Sequence, residues 1–240
     1  MRTAVWSGEG FWIDHFVHLN LDLTASRHDA LADALGETEE RQITDSSVAP
    51  GAGRICALTG PGSWPDPVRL DLACADLDGS HPMRLPDFLE TRQAQLGPVA
   101  GLSLSPDGRY AAVMGWEPVA LLVDLSAPGE QPLAIPIPEG PRLIDVLLWS
   151  PDSAHLLVGG LGVVALEGNL LLPYAGWAAA WTPDGTGLVI PGSEGAEWVM
   201  AYLDGRREAF TAPEGRSVSV LRQPLQDGRL VRTYFDPGRP

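Results

Sequence analysis

The sequence of 240 residues predicts an all-β chain made of repeated four-stranded antiparallel units, and three observations predict it. First, one phrase recurs between short apolar runs: Leu104-Ser105-Pro106-Asp107-Gly108, Trp149-Ser150-Pro151-Asp152-Ser153 and Trp181-Thr182-Pro183-Asp184-Gly185. Proline presets φ and glycine accepts a positive φ, so the phrase reads as a tight hairpin. Second, apolar runs end in acidic turns at Ala75-Asp76-Leu77-Asp78-Gly79, Leu122-Val123-Asp124-Leu125-Ser126, Ala165-Leu166-Glu167-Gly168 and Tyr202-Leu203-Asp204-Gly205. Asp-Gly after an apolar run is a strong hairpin signal. Third, 27 glycines and 22 prolines suit many short strands and oppose long helices, while a hydrophobic content of 45% suffices for a continuous core.

Together the two turns define a unit: strand, Pro-Asp-Gly hairpin, strand, loop, strand, Asp-Gly turn, strand. Two weaker copies extend the array. Ala49-Pro50-Gly51-Ala52-Gly53-Arg54-Ile55 occupies the place of Ser105 to Tyr110, and Gln223-Pro224-Leu225-Gln226-Asp227-Gly228 carries one extra residue. The anchoring prolines are then 50, 106, 151, 183 and 224, with steps of 56, 45, 32 and 41. Four-stranded units of ~40–45 residues are the period of propeller blades. On these phrases residues 41–235 resemble the TolB-type, WD-like β-propeller repeat. That resemblance implies a β-propeller and no particular activity, because such blades serve many functions.

After Pro224 only two strands are legible, Val218–Arg222 and Arg229–Phe235, and a half-blade would leave an open edge. The N-terminus offers strands to complete it. Residues 13–23 alternate, with Ile13, Val17, Leu19, Leu21 and Leu23 apolar, and Leu21-Asp22-Leu23-Thr24 mimics the third strand of a later blade. Arg41-Gln42-Ile43-Thr44 resembles a fourth strand. The expectation is one domain, 1–240, of five blades closed by these N-terminal strands. The alternative takes Val5 to Gly10 as a degenerate hairpin, giving a sixth blade of its own. Between the N-terminal strands, residues 26–40 read as a short helical insertion with Ser26 as N-cap, packing Leu31 and Leu35.

The charge balance excludes several classes. There are 31 acidic residues against 16 basic ones, giving −15, and every basic residue is arginine. Such a chain repels phosphate backbones, so nucleic acid is not an expected partner. Without lysine there is no Schiff base, phosphate-loop lysine or serine–lysine dyad. Cys56 and Cys74 form no close-spaced metal or redox pair, and each sits in an apolar run where a buried free thiol is the default, while their spacing leaves a disulfide open without implying it. The start has no apolar signal region, and no stretch reaches the ~20 apolar residues that cross a bilayer. The expectation is a soluble cytoplasmic protein with no membrane association.

No catalytic constellation emerges. Asp76 and Asp78 invite a calcium reading, but a turn recurring in every unit explains them with fewer assumptions. His15 and His18, three apart on a strand, point to opposite faces, and His28, His81 and His155 stand alone. The Gly-x-Ser-x-Gly elbow and Gly-x-Gly-x-x-Gly are absent; Gly159-Gly160-Leu161-Gly162 reads as a tight turn. The innermost strands, Val99–Leu104, Asp145–Trp149 and Ala178–Trp181, are small and apolar, and only Asp145 brings a carboxylate. Trp149 and Trp181 share one repeat position and read as core between blades.

The remaining aromatics and arginines gather in the loops after the second and fourth strands: Trp64, Trp116, Tyr174, Trp177, Arg142 and Arg216. Residues of this kind form protein-binding hot spots. The expected function is a non-catalytic scaffold that binds another protein through one loop-rich face, using no cofactor and no metal. The alternative is an enzyme or small-ligand binder, such as a glycosidase, at the mouth of a central channel, with Asp145 as its carboxylate.

Overall fold

A computed structural model describes residues 5–6, 10–14, 17–20, 25–27, 29–36, 41–61, 70–86, 88, 99–138, 146–176, 179–192, 197–211, 217–219 and 233–235. The chain divides into two compact units, Met1–Glu139 and Gly140–Pro240.

The first unit opens with a meander of β1 (Val5–Trp6), β2 (Gly10–Asp14), β3 (Val17–Asn20) and β4 (Ala25–Arg27). Helix α1 (Asp29–Leu35) follows. A second meander contains β5 (Arg41–Ala49), β6 (Arg54–Pro61), β7 (Asp71–Asp76) and β8 (Met83–Leu85). The third contains β9 (Val99–Leu104), β10 (Tyr110–Gly115), β11 (Val119–Asp124) and β12 (Leu133–Pro136).

The second unit repeats the plan twice. One meander is β13 (Leu147–Trp149), β14 (His155–Val158), β15 (Gly162–Ala165) and β16 (Leu170–Pro173). The next is β17 (Ala180–Trp181), β18 (Gly187–Pro191), β19 (Glu197–Tyr202) and β20 (Arg207–Thr211). A hairpin of β21 (Ser217–Ser219) and β22 (Thr233–Phe235) follows. All neighbouring strands in these sheets run antiparallel. The fold is all-β, built of four-stranded antiparallel blades of the β-propeller type.

Among the described residues there are five four-stranded blades, composed differently from the expectation at the N-terminus. Strands β1–β4 form their own blade, with Val5 opposite Trp12 and Trp12 opposite His18, instead of completing the sheet that holds β21. This is the composition of the six-blade alternative. Arg41–Thr44 is the start of β5, a first strand, with Arg41 opposite Pro61. Strands joined by short connections lose less entropy on pairing than strands from opposite chain ends. Ser26 lies in β4 opposite His18, so it does not cap α1. The weak phrase at Pro224 falls outside the described residues.

The turns match the repeat closely. In the three full copies the glycine position has a left-handed backbone: Gly108 at φ 70°, Ser153 at 62° and Gly185 at 72°. The Ser105 and Ser150 hydroxyls donate to Asp107 and Asp152, and accept from the Tyr110 and His155 amides at 2.8 and 2.9 Å. Thr182 accepts from the Gly187 amide at 3.0 Å. In the weak copy a 3-10 turn, Pro50–Ala52, ends on Gly53 at φ 64°, which by register stands in the place of Arg109, so the left-handed residue comes one position later and the Ser and Asp are missing.

Burial follows the strand period. On β6, Cys56 and Leu58 enter a core with Leu72, Cys74, Leu102, Leu104, Val113 and Leu121, which joins the second and third blades. The alternate residues Ile55 and Ala57, with Ala73 and Ala75, pack under Leu31, Ala32 and Leu35 of α1. The expected insertion is therefore a lid over one face of the blade, and the small alanines let it approach. In the second unit Trp181 is wholly buried among Val146, Leu148, Leu157, Val163 and Leu188. Its indole donates to the Leu148 carbonyl at 3.0 Å, tying one blade to the next as the repeat position predicts.

Cys56 and Cys74 are joined in a disulfide, the alternative that the sequence left open beside the default of free thiols. They stand directly opposite each other on β6 and β7, a relation that 18 residues of separation do not reveal. Among the described residues no helix is long and apolar enough to cross a membrane.

Candidate functional site

In the second, third and fifth blades the two ends differ in chemistry. At one end the Pro-Asp-Gly hairpin lies beside the acidic turn of the same blade. The Leu77, Leu125 and Leu203 amides donate to the Gly53, Arg109 and Thr186 carbonyls at 2.7, 2.8 and 2.9 Å. The turn carboxylates are committed to local donors. Asp78 accepts from the Ser80 amide, Asp124 from Ser126, and Asp204 from Arg206. Arg109 donates to both oxygens of Asp124, from Nη2 at 2.8 Å and Nε at 3.4 Å, and stacks over Tyr110.

These bonds shift the carboxyls downward. The Arg109 hydrogen bond holds Asp124 at about 2. Asp184 is lowered chiefly by the Thr182 hydroxyl, Asp204 by the Arg206 side chain and Asp78 by the Ser80 hydroxyl. General acid–base catalysis needs a carboxyl moved toward neutrality. These are moved away from it.

The same end holds a cluster absent from the sequence expectations, which took His81 to stand alone. His81 Nδ1 lies 2.7 Å from Asp76 Oδ2 and 3.2 Å from Ser80 Oγ, on a backbone of φ 48°. Both neighbours meet the same ring nitrogen, so this is no nucleophile–base relay, in which serine and carboxylate bind opposite nitrogens. Among the described residues no group of three or more His, Cys, Asp or Glu side chains is placed to hold a metal.

The innermost strands carry a carboxylate that sequence reasoning missed. Asp45 sits at a bulge in β5 and accepts from the Leu102 amide of β9 at 2.7 Å, and from the Ser46 amide. Ser47 accepts from the Leu104 amide at 2.8 Å. A polar run, Thr44-Asp45-Ser46-Ser47, is the only sequence signal, and it reads as loop as readily as strand. Both side chains stitch one blade edge to the next.

The opposite blade end carries the loops expected to bind. Trp116, between β10 and β11, exposes 51% of its surface, the most of any large apolar residue among those described. The loop beneath it is fixed: the Val119 amide donates to Glu117 and the Ile137 amide to Pro118. Tyr174 is half-buried against the core of Val146, Leu172 and Trp181, and a Cβ at Gly176 would run into its ring. Trp64, Arg142, Asp145, Trp177 and Arg216 lie outside the described residues. Trp116 and Tyr174 belong to different units.

No family model matches the chain, and no curated protein matches it in sequence. Among solved structures it is similar to the β-propeller domain of the Trilobed protease from Pyrococcus furiosus, at 14% identity and a TM-score of 0.48, over 75% of this chain and 60% of that one. It is also similar to the acylaminoacyl peptidase of Pyrococcus horikoshii, at 12% and 0.47, over 77% of this chain and 34% of the peptidase. A third is the Dos1 propeller, at 11% and 0.44, over 70% and 41%. The chain spans less than two thirds of each.

Proposed function

We propose that the chain is a TolB-type, WD-like repeat protein that acts as a non-catalytic scaffold, binding another protein through the loop end that bears Trp116. The observation that carries this reading is the exposed Trp116 on a hydrogen-bonded loop. A large aromatic held rigidly in water costs little entropy when a partner covers it, and tryptophan dominates interface hot spots. The carboxylates at the other end are ion-paired or hydrogen-bonded within their turns, which supports a structural role for them. No observation favours the channel-mouth alternative, since Asp145 lies outside the described residues and Asp45 is engaged by backbone amides. The cytoplasmic placement fits poorly with a formed disulfide, and an oxidising compartment suits the chain better.

A photo-crosslinking residue at position 116, compared with one at position 107 at the other end of the same blade, tests the reading. Excess wild-type protein should abolish a protein adduct formed from position 116, and excess Trp116→Ala should not. Equal adducts from both positions, or equal competition by the variant, would refute it.

A further inference from the structure

We propose that the Cys56–Cys74 bond is an oxidation-dependent lock on the second blade, so that the protein reaches full stability only where thiols are oxidised. Three observations carry it. The cysteines are direct cross-strand partners, 4.0 Å apart at Cα, on the two central strands β6 and β7. Both are wholly buried, in the core shared with Leu58, Leu72, Leu102, Val113 and Leu121. That core also joins this blade to the next, so loosening β6 from β7 disturbs both.

Formation is a two-electron oxidation. The two thiols lose two electrons and two protons to a disulfide oxidant: one thiolate forms a mixed disulfide, and the other displaces the carrier's thiol. Once formed, the bond is shielded, because an attacking thiolate cannot reach either sulfur while the blade is closed. Reduction has to pass through opening of β6 from β7, and local opening is the slow, stability-limited event. The native protein therefore holds its bond in mild reductant, whereas a chain made under reducing conditions lacks it. Cross-linking a segment of this length restricts the unfolded chain enough to change the unfolding equilibrium constant about a hundredfold. Few intracellular proteins keep such a bond.

The test uses the full chain, folded with oxidised glutathione, then unfolded in guanidinium without reductant and treated with iodoacetamide. No alkylated cysteine is expected by mass, and two are expected when phosphine reduction precedes alkylation. Urea titrations of the oxidised and phosphine-reduced proteins should differ by about a hundredfold in unfolding constant. A reduced chain that fails to refold counts as the same loss. Two adducts on the oxidatively folded protein, or coincident urea midpoints, would overturn the proposal.

Discussion

The three full copies of the repeat phrase hold the same backbone turn in three different surroundings, and this makes their left-handed position a controlled experiment. Gly108 and Gly185 have φ values of 70° and 72°, so replacing either by alanine forces the same unfavourable conformation on a Cβ. That shared cost is about 1 kcal/mol. The surroundings then separate them. A Cβ at 108 would stand 2.9 Å from Ala52 Cβ and 3.3 Å from Arg54 Cβ and Cδ, atoms fixed by the 3-10 turn and by β6. The three nearest atoms to a Cβ at 185 belong to the Asp152 carboxyl, at 3.3–3.4 Å, so a shift of a few tenths of an ångström in one side chain relieves the contact. Overpacking against fixed atoms adds about 1–3 kcal/mol. Gly108→Ala should therefore cost roughly 2–4 kcal/mol and Gly185→Ala roughly 1–1.5 kcal/mol. Ser153, at φ 62°, already carries the strain its counterparts avoid, so Ser153→Gly should return up to about 1 kcal/mol, less what its buried hydroxyl contributes. Urea midpoints read by circular dichroism, with unchanged slopes, measure all three. Equal losses in the two alanine variants would refute the steric argument. A destabilised Ser153→Gly would show that the hydroxyl outweighs the backbone.

Two further outcomes follow from single contacts. Trp181→Phe removes the indole donor from the buried Leu148 carbonyl and shrinks a wholly buried ring, costing roughly 2–4 kcal/mol in urea titrations; a loss below about 1 kcal/mol would mean the carbonyl finds another donor. Asp124 is held at about 2 when folded, against 3.8 unfolded, so its contribution is complete above pH 4 and fades as pH falls toward 2. Because Arg109 is half-exposed, screening reduces this to about 1 kcal/mol. Arg109→Met should flatten that acid limb, and an unchanged limb would assign the shift elsewhere.

The blade plan was legible because its turns are local. Ser, Pro, Asp and Gly at adjacent positions specify a hairpin whatever surrounds them, so β9–β10, β13–β14 and β17–β18 could be placed from their junctions alone. The same holds for Gly159 to Gly162, where the Leu161 amide donates to Val158 and Gly162 passes too close to the Leu172 carbonyl for a side chain. Relations between distant residues were less legible. The alternation from Ile13 to Leu23 marks strands without saying which neighbour they take, and local pairing won over ring closure. Cys56 and Cys74 each looked like an ordinary core residue, because only the β6–β7 register brings them together. Asp45 gave no sign of its role, since its partner amide lies 57 positions away. Of the candidate site, the exposure of Trp116 could be anticipated from its place between Gly115 and Pro118, whereas the packing of Tyr174 depends on a core formed by two blades.

An array of short apolar strands must also avoid becoming a template for other chains, and the blades solve this edge by edge. Inner edges are satisfied by side chains: Asp45 and Ser47 occupy the free amides of β9, and Trp181 the Leu148 carbonyl of β13. Outer edges are blunted instead. β8 has only three residues. β12 ends on Pro136, β20 begins with exposed Arg207 and Glu208, and β16 carries an extra residue, Leu171, where the register with β15 shifts. That bulge turns both Leu170 and Leu171 outward, exposing 46% and 40% of their surfaces. The apolar patch on β16 is thus a consequence of breaking the ladder there. It contrasts with Trp116, which lies in a loop between β10 and β11, where no edge requirement accounts for its exposure.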